Sequence, residues 1–144
     1  MDPKADALSP ENMLIFATGP LTGTMASTSG RFAVVTKGPL TGAIACSNSG
    51  GKFGASLKYA GYDMLILEGR SSSPVYLHIV DDKVELLPAD ELWGQTVWHT
   101  EEWIQNKHQN PQLKVASIGV AGEQGVRYAC VVNCLLYTSD AADE

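Results

Sequence analysis

The run RFAVVTKGPLTGAIACSNSGGKFGASLKYAGYD, residues Arg31–Asp63, decides the fold. It holds the second copy of a short repeat: Gly-Pro-Leu-Thr-Gly stands at residues 19–23 and again at 38–42. Arg31 to Thr36 reads as a strand, since Phe32, Val34 and Val35 favour extended backbone. The pentapeptide then turns the chain, and Ala43 to Cys46 reads as a second short strand. Asn48 or Ser49 can cap a following helix by accepting from the N–H groups of its first turn. Gly50 and Gly51 leave no side chain between the backbone and a ligand. Phe53, Leu57 and Ala60 recur at helical spacing. Gly61 stands where a left-handed helix terminus belongs. Residues 47–54 therefore admit two readings. One is an ordinary junction between loop and helix. The other is an anion site at a glycine-flanked helix start.

Outward from this run the pattern is short strands and two helices. Met1 to Pro10 reads as loop, and Met13 to Ala17 as a buried strand. Pro20 presets the backbone of the first pentapeptide turn, and Thr24 to Gly30 is loop. Met64 to Leu67 reads as a strand. Val75–Val80 and Val84–Leu87 read as a hairpin closed at Asp81-Asp82. Thr96 can cap a second helix over Val97–Lys107, which Asn110-Pro111 stops. Glu101 and Glu102 fall on that helix as a solvated face, since adjacent helical residues diverge and make no acid–base pair. His99 and His108 lack the i, i+4 spacing of a metal pair, and His78 reads as structural or exposed. Val115–Ile118 reads as a strand, Gly119–Gly125 as a glycine-rich turn and Val126–Val132 as a strand. The order of strands, helix and strands is that of an α+β domain.

Composition narrows the function. The 144 residues suffice for one domain with a real core. A net charge of −6 argues against non-specific nucleic-acid binding. No apolar run approaches the roughly 20 residues of a membrane span, and no signal peptide opens the chain. Cys46, Cys130 and Cys134 form no CxxC pair and read as free thiols in a reducing, cytoplasmic setting. Gly51-Lys52 is followed by Phe53, so there is no Walker A. Gly119, Gly122 and Gly125 do not have dinucleotide spacing.

A set of motifs in fixed order carries a resemblance. They are Leu8-Ser9-Pro10-Glu11-Asn12, both Gly-Pro-Leu-Thr-Gly copies, Ser29-Gly30-Arg31-Phe32, Asn48-Ser49-Gly50-Gly51, Leu57–Asp63, Leu92-Trp93-Gly94 and Ile118–Glu123. Together, over about Leu8 to Asn133, the chain resembles the N-terminal domain of the aldehyde ferredoxin oxidoreductases. The resemblance implies two β3-α-β3 units, incomplete here at both ends, on which a tungsten (or molybdenum) bis-pterin rests. It implies oxidation of aldehydes to carboxylic acids, with ferredoxin as electron acceptor. A homodimer, and a 4Fe-4S cluster bound by domains outside this chain, are implied as well. Cofactor-binding positions fall on Arg31, Asn48, Ser49, Gly50 and Gly51. The Asn48 carbonyl would help hold a magnesium that bridges the pterin phosphates. No catalytic residue is implied within this chain, which would be inactive alone.

Two departures qualify the resemblance. Met1 resembles a point already inside the family's first domain, and so reads as an internal methionine. Cys134–Glu144 resembles a translated sequencing-library adapter rather than the family's second glycine- and arginine-rich loop. The expected division is therefore 1–133, a partial cofactor-binding domain, and 134–144, a non-native tail. Asp140, Asp143 and Glu144 in that tail carry three of the six net negative charges. The alternatives are a non-catalytic module that binds a phosphate-bearing ligand and a purely structural module. Sequence beyond Asn133 separates them: a glycine/arginine loop followed by a cysteine cluster belongs only to the enzyme.

Overall fold

Strand-forming residues dominate the first third of the chain, and they assemble into one antiparallel sheet. The computed structural model describes residue 2, residues 4–134 and residues 137–138. Strands β1 (Leu14–Thr18), β2 (Phe32–Lys37), β3 (Ile44–Ser49) and β4 (Met64–Leu67) form a four-stranded sheet in the order β3-β2-β1-β4. Helix α1 (Phe53–Tyr59) connects β3 to β4. A hairpin follows, β5 (Val75–Val80) with β6 (Lys83–Pro88), then a 3-10 turn at Asp90–Leu92 and helix α2 (Val97–Lys107). The chain continues with β7 (Ala116–Ser117), α3 (Val120–Glu123), β8 (Val132–Asn133) and β9 (Tyr137–Thr138); β8 pairs with both β7 and β9. The architecture is α+β.

Register fixes the two faces of the large sheet. Phe16 pairs with Val34 and Leu65, and Phe32 with Ser49. These residues point inward, where Phe16, Phe32, Val34 and Leu57 form a buried cluster. The rings of Phe16, Phe32 and Phe53 lie 5.1–6.2 Å apart between centroids. Gly54 makes this approach possible: a Cβ there would lie 3.0 Å from the Phe32 Cβ. A second cluster joins Ala89, Leu92 and Ile104 beneath Tyr76, Trp103 and Leu113. An apolar cavity of about 510 Å³ lies between the clusters, lined among others by Phe16, Leu65, Tyr76, Ile104 and Val115.

The opposite face of the sheet is apolar and open. Ile15, Ala17, Ala33 and Val35 occupy its centre, with Ile44, Cys46, Met64 and Ile66 exposed around them. Ile44 is 73% exposed. A contiguous exposed apolar face of this kind drives association. The isolated chain is expected to self-associate as its concentration rises and to enhance the fluorescence of a hydrophobic dye. Light scattering and dye titration check this; a monomer at high concentration that binds no dye would contradict it.

Several local expectations need correction. Asn48 and Ser49 do not cap α1. Both are the last residues of β3, paired with Ala33 and Phe32, and the cap position is Lys52 with no side-chain bond. Sheet pairing has extended the strand through residues that favour turns in isolation. Glu101 is not solvated; it is 6% exposed, and Gln105 Nε2 lies 3.4 Å from its Oε1. The second helix is one whose neighbours cover more than its apolar stripe. Gly119–Gly125 contains the short helix α3, which closes at Gly125 in a left-handed conformation (φ +70°). The Val126 N–H donates to Ala121 and the Gly125 N–H to Gly122, a two-bond terminus that pins the chain in a turn. Val126–Val132 is consequently not a strand: a turn bond joins Ala129 N–H to Val126, and only Val132–Asn133 pairs. The same terminus closes α1 at Gly61, as its sequence position suggests, and α2 at Gln109. Thr96 caps α2 as expected, accepting from the His99 N–H at 3.2 Å.

Candidate functional site

The two pentapeptides have different work in the same local shape. In the second copy, Gly42 N–H donates to Gly38 and Gly38 N–H to Ala43, which turns β2 into β3. In the first copy, the buried Thr22 hydroxyl accepts from Gly19 N–H at 2.9 Å and donates to the Arg31 carbonyl at 3.1 Å. That bond holds the entry of β2 against the exit of β1. Tyr59 on α1 closes the loop by donating to the Gly23 carbonyl at 2.6 Å. The sequence shows the repeat but not this division of roles, because the roles depend on which strands pair.

At that corner lies a shallow hollow of about 290 Å³, lined by Ala17, Thr18, Gly19, Arg31, Phe32, Ala33 and Asn48. Arg31 and Asn48 are exposed. They reach one hollow because Ala33 pairs with Asn48, while Arg31 lies two residues before Ala33 on the same side of β2. Continuing that register sets Gly50 beside Arg31. The backbone is tight here: a Cβ on Gly30 would come within 3.1 Å of the Gly51 carbonyl, and Gly51 itself has φ +83°. Among the described residues, the lining of the hollow includes no acidic side chain.

Ser49 is turned the other way. It is 1% exposed, and its hydroxyl accepts from Asn133 Nδ2 at 2.7 Å across 84 residues of sequence. Alternation along β3 sends Asn48 outward and Ser49 inward. Asn133, which sequence reading gave no role, is thus the inward partner of a site residue; a polar residue in a two-residue strand carries no sequence signal for such a contact. Helix α1 has seven residues and a lysine at its cap position. A macrodipole of that length adds little, so the positive charge that the lining of this corner presents is that of the Arg31 guanidinium. Among the described residues, no three His, Cys, Asp or Glu side chains gather as a metal site.

Comparison with known proteins gives a consistent identity. The family described as "Aldehyde ferredoxin oxidoreductase, N-terminal domain" matches residues 1–143. The tungsten-containing aldehyde ferredoxin oxidoreductase of Pyrococcus abyssi is 56% identical over 133 residues, which are 92% of this chain and 22% of that protein. The enzyme of the same name from Pyrococcus furiosus is 53% identical over the same length. Among solved structures, the active-site complex BamBC of benzoyl coenzyme A reductase, in complex with 1,5-dienoyl-CoA, superposes with a TM-score of 0.92. That match has 43% identity and covers 95% of this chain and 21% of the other. The chain spans about a fifth of the length of the curated relatives it matches. It belongs to the family of the aldehyde ferredoxin oxidoreductase N-terminal domain.

Proposed function

We propose that this chain is the part of an aldehyde:ferredoxin oxidoreductase that cradles the pterin phosphates of a tungsten (or molybdenum) bis-pterin. The observation that carries the reading is the hollow at the end of β1–β3, where Arg31 and Asn48 meet beside an open apolar sheet face. The chemistry of the residues suits the group. A guanidinium in a hollow whose lining, among the described residues, includes no acidic side chain suits phosphate, and an open apolar β-face leaves room for the flat face of a pterin ring to lie against it. In this reading Arg31 binds a phosphate or the ring, and the Gly50 and Gly51 backbone lets the cofactor approach closely. The Asn48 carbonyl would help to hold a magnesium beside the phosphates. Ser49 contributes through its backbone, since its hydroxyl is held by Asn133. Bound, the metal–pterin centre would supply two-electron redox chemistry for converting an aldehyde to a carboxylic acid.

The rest of the enzyme would provide the 4Fe-4S cluster, the aldehyde pocket, the ferredoxin surface and any homodimer contact. It would also complete the paired β3-α-β3 units, and the fragment alone would be inactive. A cytoplasmic setting suits free thiols at Cys46, Cys130 and Cys134. The match to a benzoyl coenzyme A reductase complex supports leaving substrate choice to the other domains, since a similar fold is found in a protein of different chemistry. The reading is tested by the tungsten and pterin content of Arg31 variants of the full-length protein.

Residues 134–144 are proposed to be a non-native tail. Deleting them is expected to leave the thermal midpoint unchanged or raised. A clear fall, measured by circular dichroism, would show that the pairing of β9 with β8 belongs to the fold.

A further inference from the structure

The β5–β6 hairpin meets the C-terminal end of α2 through a cluster of rings, Tyr76 and His78 on the hairpin against Trp103 and His108. The imidazoles of His78 on β5 and His108 at the end of α2 are stacked, with centroids 3.8 Å apart and planes inclined by 19°. Tyr76 on β5 places its hydroxyl 3.0 Å from His108 Nε2. Trp103 meets the Tyr76 ring edge-on at 6.4 Å, and the Lys107 ammonium lies 4.4 Å from the Trp103 ring centroid. Glu85 pairs with His78 across the hairpin. We propose that His78 and His108 form an acid-sensitive latch, which holds the hairpin to α2 while both rings are neutral and loosens when both are protonated.

The physical basis is the ring separation. Two neutral imidazoles stack favourably, whereas two imidazolium rings at 3.8 Å repel across a partly desolvated contact. Facing the pair are Tyr76 from β5, Glu85 from β6 and Lys107 from α2. Lys107 adds to the repulsion, and Glu85 is the carboxylate that offsets it. Burial holds the His108 pKa below its ordinary 6.5, aided by the charges of His78 and Lys107 and opposed by Glu85. A histidine so depressed contributes stability that is complete above the unfolded value near 6.5 and is lost as pH falls through the folded value. Tyr76 and His78 also line the 510 Å³ cavity, so loosening the latch would open one of its walls.

Nuclear magnetic resonance of the chain between pH 7.5 and 5 tests the latch, through the ring-proton titrations and the cross-ring proximity of His78 and His108. The proposal expects His108 to titrate below 6.5 and the ring-to-ring contact to be lost on the acid side. The folding constant should fall between pH 7.5 and 5.5 by more in the parent than in His108→Gln, since only the parent carries the lowered His108 pKa. A ring contact that persists with both imidazoles charged would overturn the proposal. So would an identical pH loss in parent and variant. Should His108→Gln fail to fold, the parent's ring titration and contact decide the matter alone.

Discussion

Replacing Arg31 by alanine in the full-length protein is expected to lower pterin and tungsten content by roughly tenfold or more. Each charge-assisted hydrogen bond to a phosphate contributes about 1.5–3 kcal/mol, and 1.4 kcal/mol is already a factor of ten in occupancy under limiting cofactor. Cofactor occupancy should fall more than the melting point of cofactor-free protein, because Arg31 is exposed. Arg31→Lys should restore only part of the loss, since an ammonium lacks the planar fork that meets two phosphate oxygens at once. Metal analysis and pterin fluorescence of the purified variants check both statements. Unchanged metal and pterin in Arg31→Ala would show that phosphate is held elsewhere. Equal losses in cofactor and in apoprotein stability would make Arg31 a structural residue.

Phe32→Ala should have the largest effect on stability. Phe32 is 3% exposed and packs between Phe16 and Phe53, with Gly54 closing the remaining side. Truncating a phenylalanine in such a setting costs about 3–5 kcal/mol in lost burial and in cavity. That is a large share of the 5–15 kcal/mol that ordinarily holds a domain together. The expected result is a thermal midpoint lower by roughly 10–20 °C, or loss of cooperative unfolding. Ile44→Ser on the open face of the same sheet should be near neutral, because Ile44 is already in water. The pair of variants separates the two faces: similar effects at both positions would mean that the register of β2 on β3 is wrong.

Much of the local structure was legible because it depends on residues close in sequence. The hairpin at Asp81-Asp82, the Thr96 cap and the end of α1 at Gly61 all follow from one or two side chains acting on adjacent backbone. The turn at the second pentapeptide is of the same kind. The candidate site was legible in part for a similar reason. Asn48 lies on β3 and Arg31 immediately precedes β2, and the tight turn between these strands lets antiparallel return bring the two together. The failures are of another type. Val126–Val132 has strand-like composition, but a strand needs a partner, and only Val132–Asn133 finds one. The glycines at 119–125 looked like punctuation, yet four residues between them close a helical turn that then dictates the path of Val126.

What the sequence by itself determined is the α+β class, the end of α1 at Gly61, the span of α2, the repeated turn and the kinship that the motifs carry. These rest on backbone preferences and on spacings of a few residues, which no distant contact needs to supply. Only the tertiary structure decided which face each residue takes. Asn48 and Ser49 are adjacent and chemically alike, and both are plausible helix caps. Pairing with β2 made them strand residues instead, and strand alternation then sent one into the hollow and the other to Asn133. Glu101 and Glu102 divide in the same way on α2, one buried and one exposed. The physical reason is common to both cases: orientation is set by the partner surface, and the residues that form it lie far away along the chain.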